Sequence, residues 1–71
     1  MEQHELDRWF TYHTPTPEQQ AAYVEIRSAA KMLAAVIVRN TPACADQTAA
    51  VRKVREAVMT ANAAIACAEE P

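Results

Sequence analysis

The sequence predicts an all-α fold: two long helices turned back on each other as an antiparallel hairpin, led by an N-terminal arm or short helix and assembled as a homo-oligomer. Three observations carry this. Glycine is absent, and the four prolines stand only at 15, 17, 42 and 71, leaving two long stretches without a helix breaker. Alanine dominates from residue 21 onward. Within each long stretch, apolar residues recur at steps of three and four, the spacing of one helical face.

The elements follow in order within one domain, 1–71: an arm or short helix over 1–15, helix one over 16–40 and helix two over 44–68. WFTYHTPTPEQ, residues 9–19, places Trp9, Phe10 and Tyr12, three of the four aromatics, before helix one can begin. Ahead of it, HELDRWF can form one further short helical turn, with no firm cap in view. Helix one starts at Thr16. Thr-Pro-Thr-Pro-Glu-Gln supplies a threonine cap, proline at the first helical position, a glutamate at the positive dipole end and the glutamine of a T-x-x-Q box. Its stripe runs through Tyr23, Ile26, Ala30, Leu33 and Ile37 to about Arg39, where Asn40, Thr41 and Pro42 stop it. Helix two begins between Cys44 and Asp46 and carries Val51, Val54, Val58, Ala61 and Ile65. A short turn between them brings the two stripes face to face.

A chain of 71 residues buries only about 60% of its unfolded surface, so a lone hairpin is marginal. Ala22, Ala29, Val36, Ala57 and Ala64 lie off the main stripes, and small residues on a second face let another helix come close. Self-association is the expected way to cover these faces, with two-fold symmetry in the smallest unit. The alternative is a third helix from residues 2 to 10 laid over the seam.

Several function classes fall away. A net charge of −2, with no basic stripe, gives no general attraction for a DNA or RNA polymer. MLAAVIV at 32–38 is too short to span a membrane, and MEQHELDRWF lacks the apolar run of an export signal, so the expected setting is cytoplasmic with reduced thiols. His4, His13, Cys44 and Cys67 have no metal-ligand spacing, and no cofactor is called for. Cys67 stands at a helix end beside Glu69 and Glu70, negative surroundings that disfavour a nucleophilic thiolate; both cysteines read as small helix residues. The carboxylates Asp46, Glu56, Glu69 and Glu70 read as solvated faces and tail. Nothing in this inventory argues for an enzyme.

The arm and two basic residues remain. Arg27 and Lys31 stand one turn apart on one face of helix one. Singly they have plain explanations: Trp9 and Phe10 cap the hairpin's open end, Tyr12 packs beside them, and the two cations are solvated. In a symmetric dimer, however, two tyrosines and two arginines face one another. Bases stack on aromatic rings and phosphates bind guanidinium groups, so that arrangement suits a small ligand with two bases and two phosphates.

FTYHTPT at 10–16, QAAYVEIRSAAKMLA at 20–34 and AVMTANAAIA at 57–66 resemble the phage anti-CBASS proteins that act as cyclic-oligonucleotide sponges. The resemblance implies a helical hairpin that forms dimers and hexamers. It also implies binding of cyclic dinucleotides such as cyclic GMP-AMP and, in some members, of cyclic trinucleotides at a separate site. By holding these messengers intact in the cytoplasm of the infected host, such a protein keeps the antiviral effector switched off. Carried over by position, Tyr12 resembles the family's base-stacking aromatic and Arg27 its phosphate or base-edge contact, with His13 and Lys31 as neighbours. Thr60 stands where members often have tryptophan. Cys67 stands where a basic residue often follows, which bears on the trinucleotide site, and Cys44 replaces the usual serine cap of helix two. Asn62 is expected to hydrogen-bond across the oligomer. An alternative from another class is an adaptor hairpin that oligomerises and binds a partner protein through Trp9 and Phe10.

Overall fold

The computed structural model describes residues 1–68; Glu69 and Glu70, read above as a solvated tail, lie outside them. Three helices follow in order: α1, Gln3–Phe10; α2, Pro17–Asn40; and α3, Ala45–Ala66. α2 and α3 form the antiparallel hairpin, and α1 adjoins its open end.

α1 is longer and better held than the sequence led us to expect. The Glu5 carboxylate accepts from the Glu2 backbone N–H at 3.4 Å, and Gln3 Nε2 donates to Asp7 Oδ1 at 2.9 Å. The first contact occupies an orphan amide at the helix start, and the second ties residues one turn apart. Trp9 and Phe10 therefore lie in the last turn of a helix and not on the arm. The extended arm begins at Thr11 (φ −97°, ψ 135°) and runs to Thr16.

The start of α2 forms as its T-x-x-Q box predicts. Gln19 N donates to Thr16 Oγ1 at 3.1 Å, and Thr16 N donates to Gln19 Oε1 at 2.9 Å. The remaining amide group of Gln19 reaches across the hairpin and donates from Nε2 to the Ile65 carbonyl at 3.2 Å. One residue thus caps α2 and fastens the end of α3 to it. At the far end, Asn40 Nδ2 donates to Val36 O at 2.8 Å and Thr41 Oγ1 to Ile37 O at 2.7 Å, filling carbonyls that the helix leaves open. Cys44, at the N-cap of α3, makes no side-chain cap bond. Gln47, which would complete a box there, donates instead to Val38 O at 3.3 Å and to Thr41 O and Oγ1 at 3.1 Å, binding the turn together.

The seam joins Tyr23, Ile26, Ala30, Ala34 and Ile37 of α2 to Val51, Val54, Val58, Ala61 and Ile65 of α3, all half-buried. Leu33 does not belong to it. It is 52% exposed, because continuing by four from Ala30 brings Ala34 to the centre and turns Leu33 toward the second face. Among the described residues none is buried. The dimensions say why: at 45 × 29 × 17 Å the chain is a single layer of helices, with a radius of gyration of 15.4 Å, against about 11 Å for a compact domain of this length. Its accessible surface is 5869 Å², about a third more than the ~4400 Å² of a compact monomer of the same mass. α1 does not lie over the seam as the third-helix alternative supposed.

Both cysteines are free thiols, Cys44 exposed and Cys67 half-buried. They stand at opposite ends of α3, about 35 Å apart at helical rise, far beyond disulfide reach. Among the described residues, no helix is long and apolar enough to cross a membrane.

Candidate functional site

Two helices in contact leave a furrow on each side of their seam, and here the two furrows differ in chemistry. One is a cleft of about 260 Å³ with an apolar floor, Ala30, Ala34, Val54 and Val58, and a rim that carries Arg27, Lys31 and Arg55. Arg27 and Lys31 stand one turn apart on α2, about 6 Å at helical rise. Arg55 comes from the opposite wall. Among the described residues, no carboxylate lines this cleft.

The other furrow, about 480 Å³, is formed by small and apolar side chains: Ala29 and Leu33 from α2, and Ala57 and Ala61 from α3, with Lys53 at its margin. Ala29 and Ala57 are two of the small second-face residues noted in the sequence. Leu33, displaced from the seam, lines this furrow together with Ile26. Val36, from the same second face, is 37% exposed.

The open end of the hairpin holds a cleft of about 680 Å³, between Trp9 and Phe10 of α1, Met59 and Ala63 of α3, and Cys67 just beyond it. Met59 also lines the cationic cleft. Trp9 is 57% and Phe10 81% exposed, so they flank the end of the hairpin without sealing it.

The arm is tethered to this end through one carbonyl. Arg8 O, at the C-terminus of α1, accepts from His13 Nε2 at 3.0 Å and from the Cys67 thiol at 3.5 Å. The carbonyl can only accept, so the imidazole proton of this contact lies on Nε2. His13 thus fixes the arm to α1, while Cys67 fixes α1 to α3. Tyr12, its neighbour, is 82% exposed with its ring outward and lines none of the three clefts. Of the four site residues expected from the sequence, the fold brings Arg27 and Lys31 into one cleft and leaves Tyr12 and His13 on the arm outside it.

Arg55 escaped the sequence reading. Its signal was there: it directly follows Val54 of the seam, so it had to flank the furrow. Asn62 Oδ1 is covered and has no hydrogen-bond partner within the chain.

Comparison with known proteins gives one finding. The model of the Acb2/Tad1 hairpin domain matches residues 2–66, nearly the whole chain including α1, and the chain belongs to that family, the anti-CBASS cyclic-oligonucleotide sponges. No curated protein and no solved structure matches it.

Proposed function

Proceeding from membership in the Acb2/Tad1 hairpin family, we propose that this protein binds cyclic dinucleotides and holds them intact, blocking activation of CBASS effectors in the cytoplasm of a phage-infected host. The family match over residues 2–66 carries the proposal. The cationic cleft supports it: Arg27 offers a forked guanidinium to a phosphodiester, and Lys31 adds a second positive charge one turn away. Tyr12, outward on the arm, offers an open face for stacking on a base. A ligand with two bases and two phosphodiesters then draws on two copies, one tyrosine and one cationic cleft from each. The protein acts by capture and not by catalysis, and its ligands are small cyclic nucleotides and not DNA or RNA polymers.

The chain exposes roughly 1,500 Å² more than a compact monomer of its mass. A standard interface covers about 800 Å² per partner, so a single dimer contact leaves much of this excess uncovered. More than one contact per copy accounts for it, which favours dimers assembled further, as in a hexamer. The small-residue furrow with Leu33 is the surface suited to close helix approach.

Isothermal calorimetry against a panel of cyclic di- and trinucleotides tests the proposal, with Tyr12→Ala and Arg27→Ala as controls. The parent should bind at least one cyclic dinucleotide, and both variants should keep their mass in solution and lose most of the affinity. Ligand released by protease should be chemically unchanged; recovery of a linear product would overturn capture in favour of hydrolysis. A second reading, an adaptor that binds a partner protein, draws on the exposure of Trp9 and Phe10. It expects no heat of binding with any cyclic nucleotide.

A further inference from the structure

The geometry points to Arg55 as a third cationic contact for the ligand's phosphodiester, supplied by α3 across the cleft from Arg27 and Lys31. This assignment rests on the sponge reading above and extends its site to the second helix. Two cross-links set the register of the hairpin: Gln19 with Ile65 near the open end and Gln47 with Val38 near the turn. In that register, Arg55 stands opposite residues 29 and 30, midway between the levels of Arg27 and Lys31. The three cations therefore form a triangle around one cleft, two on one wall and one on the other.

Charge placement along the helices separates these three from their neighbours. Glu56 lies four residues after Arg52 and three after Lys53, spacings at which opposite charges meet on a helix surface. Arg27, Lys31 and Arg55 have no carboxylate three or four residues away in either direction. Arg27 and Lys31 are moreover four apart, a like-charge spacing that disfavours the unliganded helix. In a chain with nine acidic and seven basic residues, three cations thus share a cleft that, among the described residues, no acid lines. A bound anion relieves the repulsion. A guanidinium opposite Arg27 allows a phosphodiester to be gripped from both walls, each through a forked pair of N–H donors.

The test is calorimetry on the full-length parent and on Arg55→Ala, Arg55→Lys and Arg52→Ala, using the cyclic dinucleotide that the parent binds best. Arg55→Ala should weaken binding roughly tenfold or more, the loss of one charge-assisted hydrogen-bonded contact. Arg55→Lys should recover part of it, keeping the charge without the fork. Arg52→Ala removes the same charge from the same helix and should leave the dissociation constant within about twofold, within the spread of surface charge effects. Raising salt should weaken the parent more than Arg55→Ala, since the variant has one fewer charge to screen. An unchanged dissociation constant for Arg55→Ala, or an equal loss in Arg55→Ala and Arg52→Ala, overturns the assignment and leaves the sponge reading standing. Failure of the parent to bind any cyclic nucleotide overturns that reading, and this assignment with it.

Discussion

Replacing Leu33 by alanine should weaken self-association far more than it weakens the hairpin. Leu33 is 52% exposed in the single chain, in the furrow it shares with Ala29 and Ala57. Full burial of a leucine side chain contributes about 1.5–3 kcal/mol, so covering its exposed half in an interface contributes about 1 kcal/mol per copy. A two-fold contact uses the same patch on both partners and loses it twice, about 2 kcal/mol, which raises the dissociation constant roughly 30-fold. Leu33→Asp sharpens the contrast, because it asks the interface to bury an unpaired carboxylate, a cost of several kcal/mol. Sedimentation equilibrium over a concentration series reads the association directly, and far-UV circular dichroism on the same samples reads helix content. The parent should lose helix on dilution as it dissociates, since one layer of helices encloses no core. A parent that stays helical and monomeric in dilute solution refutes the dependence of folding on association. A Leu33→Asp protein that associates like the parent refutes the assignment of this furrow to the interface.

Other perturbations address single contacts. Asn62→Leu removes a covered oxygen that has no hydrogen-bond partner, and should stabilise the fold by about 1 kcal/mol, raising Tm by about 4–8 °C. A lower Tm would mean that Asn62 finds a partner in the assembly. Thr16→Ala breaks the capping box of α2 and should cost about 1 kcal/mol, seen as a Tm lower by a similar amount; an unchanged Tm would place the start of the helix under other control. His13→Ala frees the arm from the Arg8 carbonyl and should weaken cyclic dinucleotide binding several-fold with helix content unchanged. Equal affinity in that variant would show that the arm needs no tether.

What could be read from the sequence was local. The start and end of α2 were written in Thr16, Pro17, Gln19, Asn40 and Pro42, because caps and breakers act within one turn of chain. The seam was legible to within one residue. Leu33 and Ala34 both satisfy a step of three or four from Ala30, and only the partner helix decides which one faces it. α1 was underestimated because its cap is a glutamate pair instead of a serine or threonine, and because Trp9 and Phe10 drew attention to the arm. The cationic cleft was half legible: Arg27 and Lys31 share a helix face, whereas Arg55 joins them only through the register of the hairpin. That register depends on Gln19 and Gln47, whose amides reach across to Ile65 and Val38, and no periodicity encodes such a reach.

The same cross-links connect the fold to its site. Gln19 is at once the N3 residue of the α2 box and the donor to Ile65, so the level at which α3 ends is set by the start of α2. Two residues beyond Ile65, Cys67 donates to Arg8 O, the carbonyl that also receives His13. A continuous path of short contacts therefore runs from the beginning of α2 through the end of α3 to the arm beside Tyr12. The arm itself has few ways to move: Pro15 and Pro17 restrict the backbone on one side of it, and His13 anchors the other. Under the proposed function, a stacking ring held this way loses little conformational freedom when a base arrives. The cleft it serves lies between two long helices, whose backbones set the spacing of Arg27, Lys31 and Arg55. Order is thus concentrated at the open end and along the hairpin, while the apolar surface left over is available for other copies of the chain.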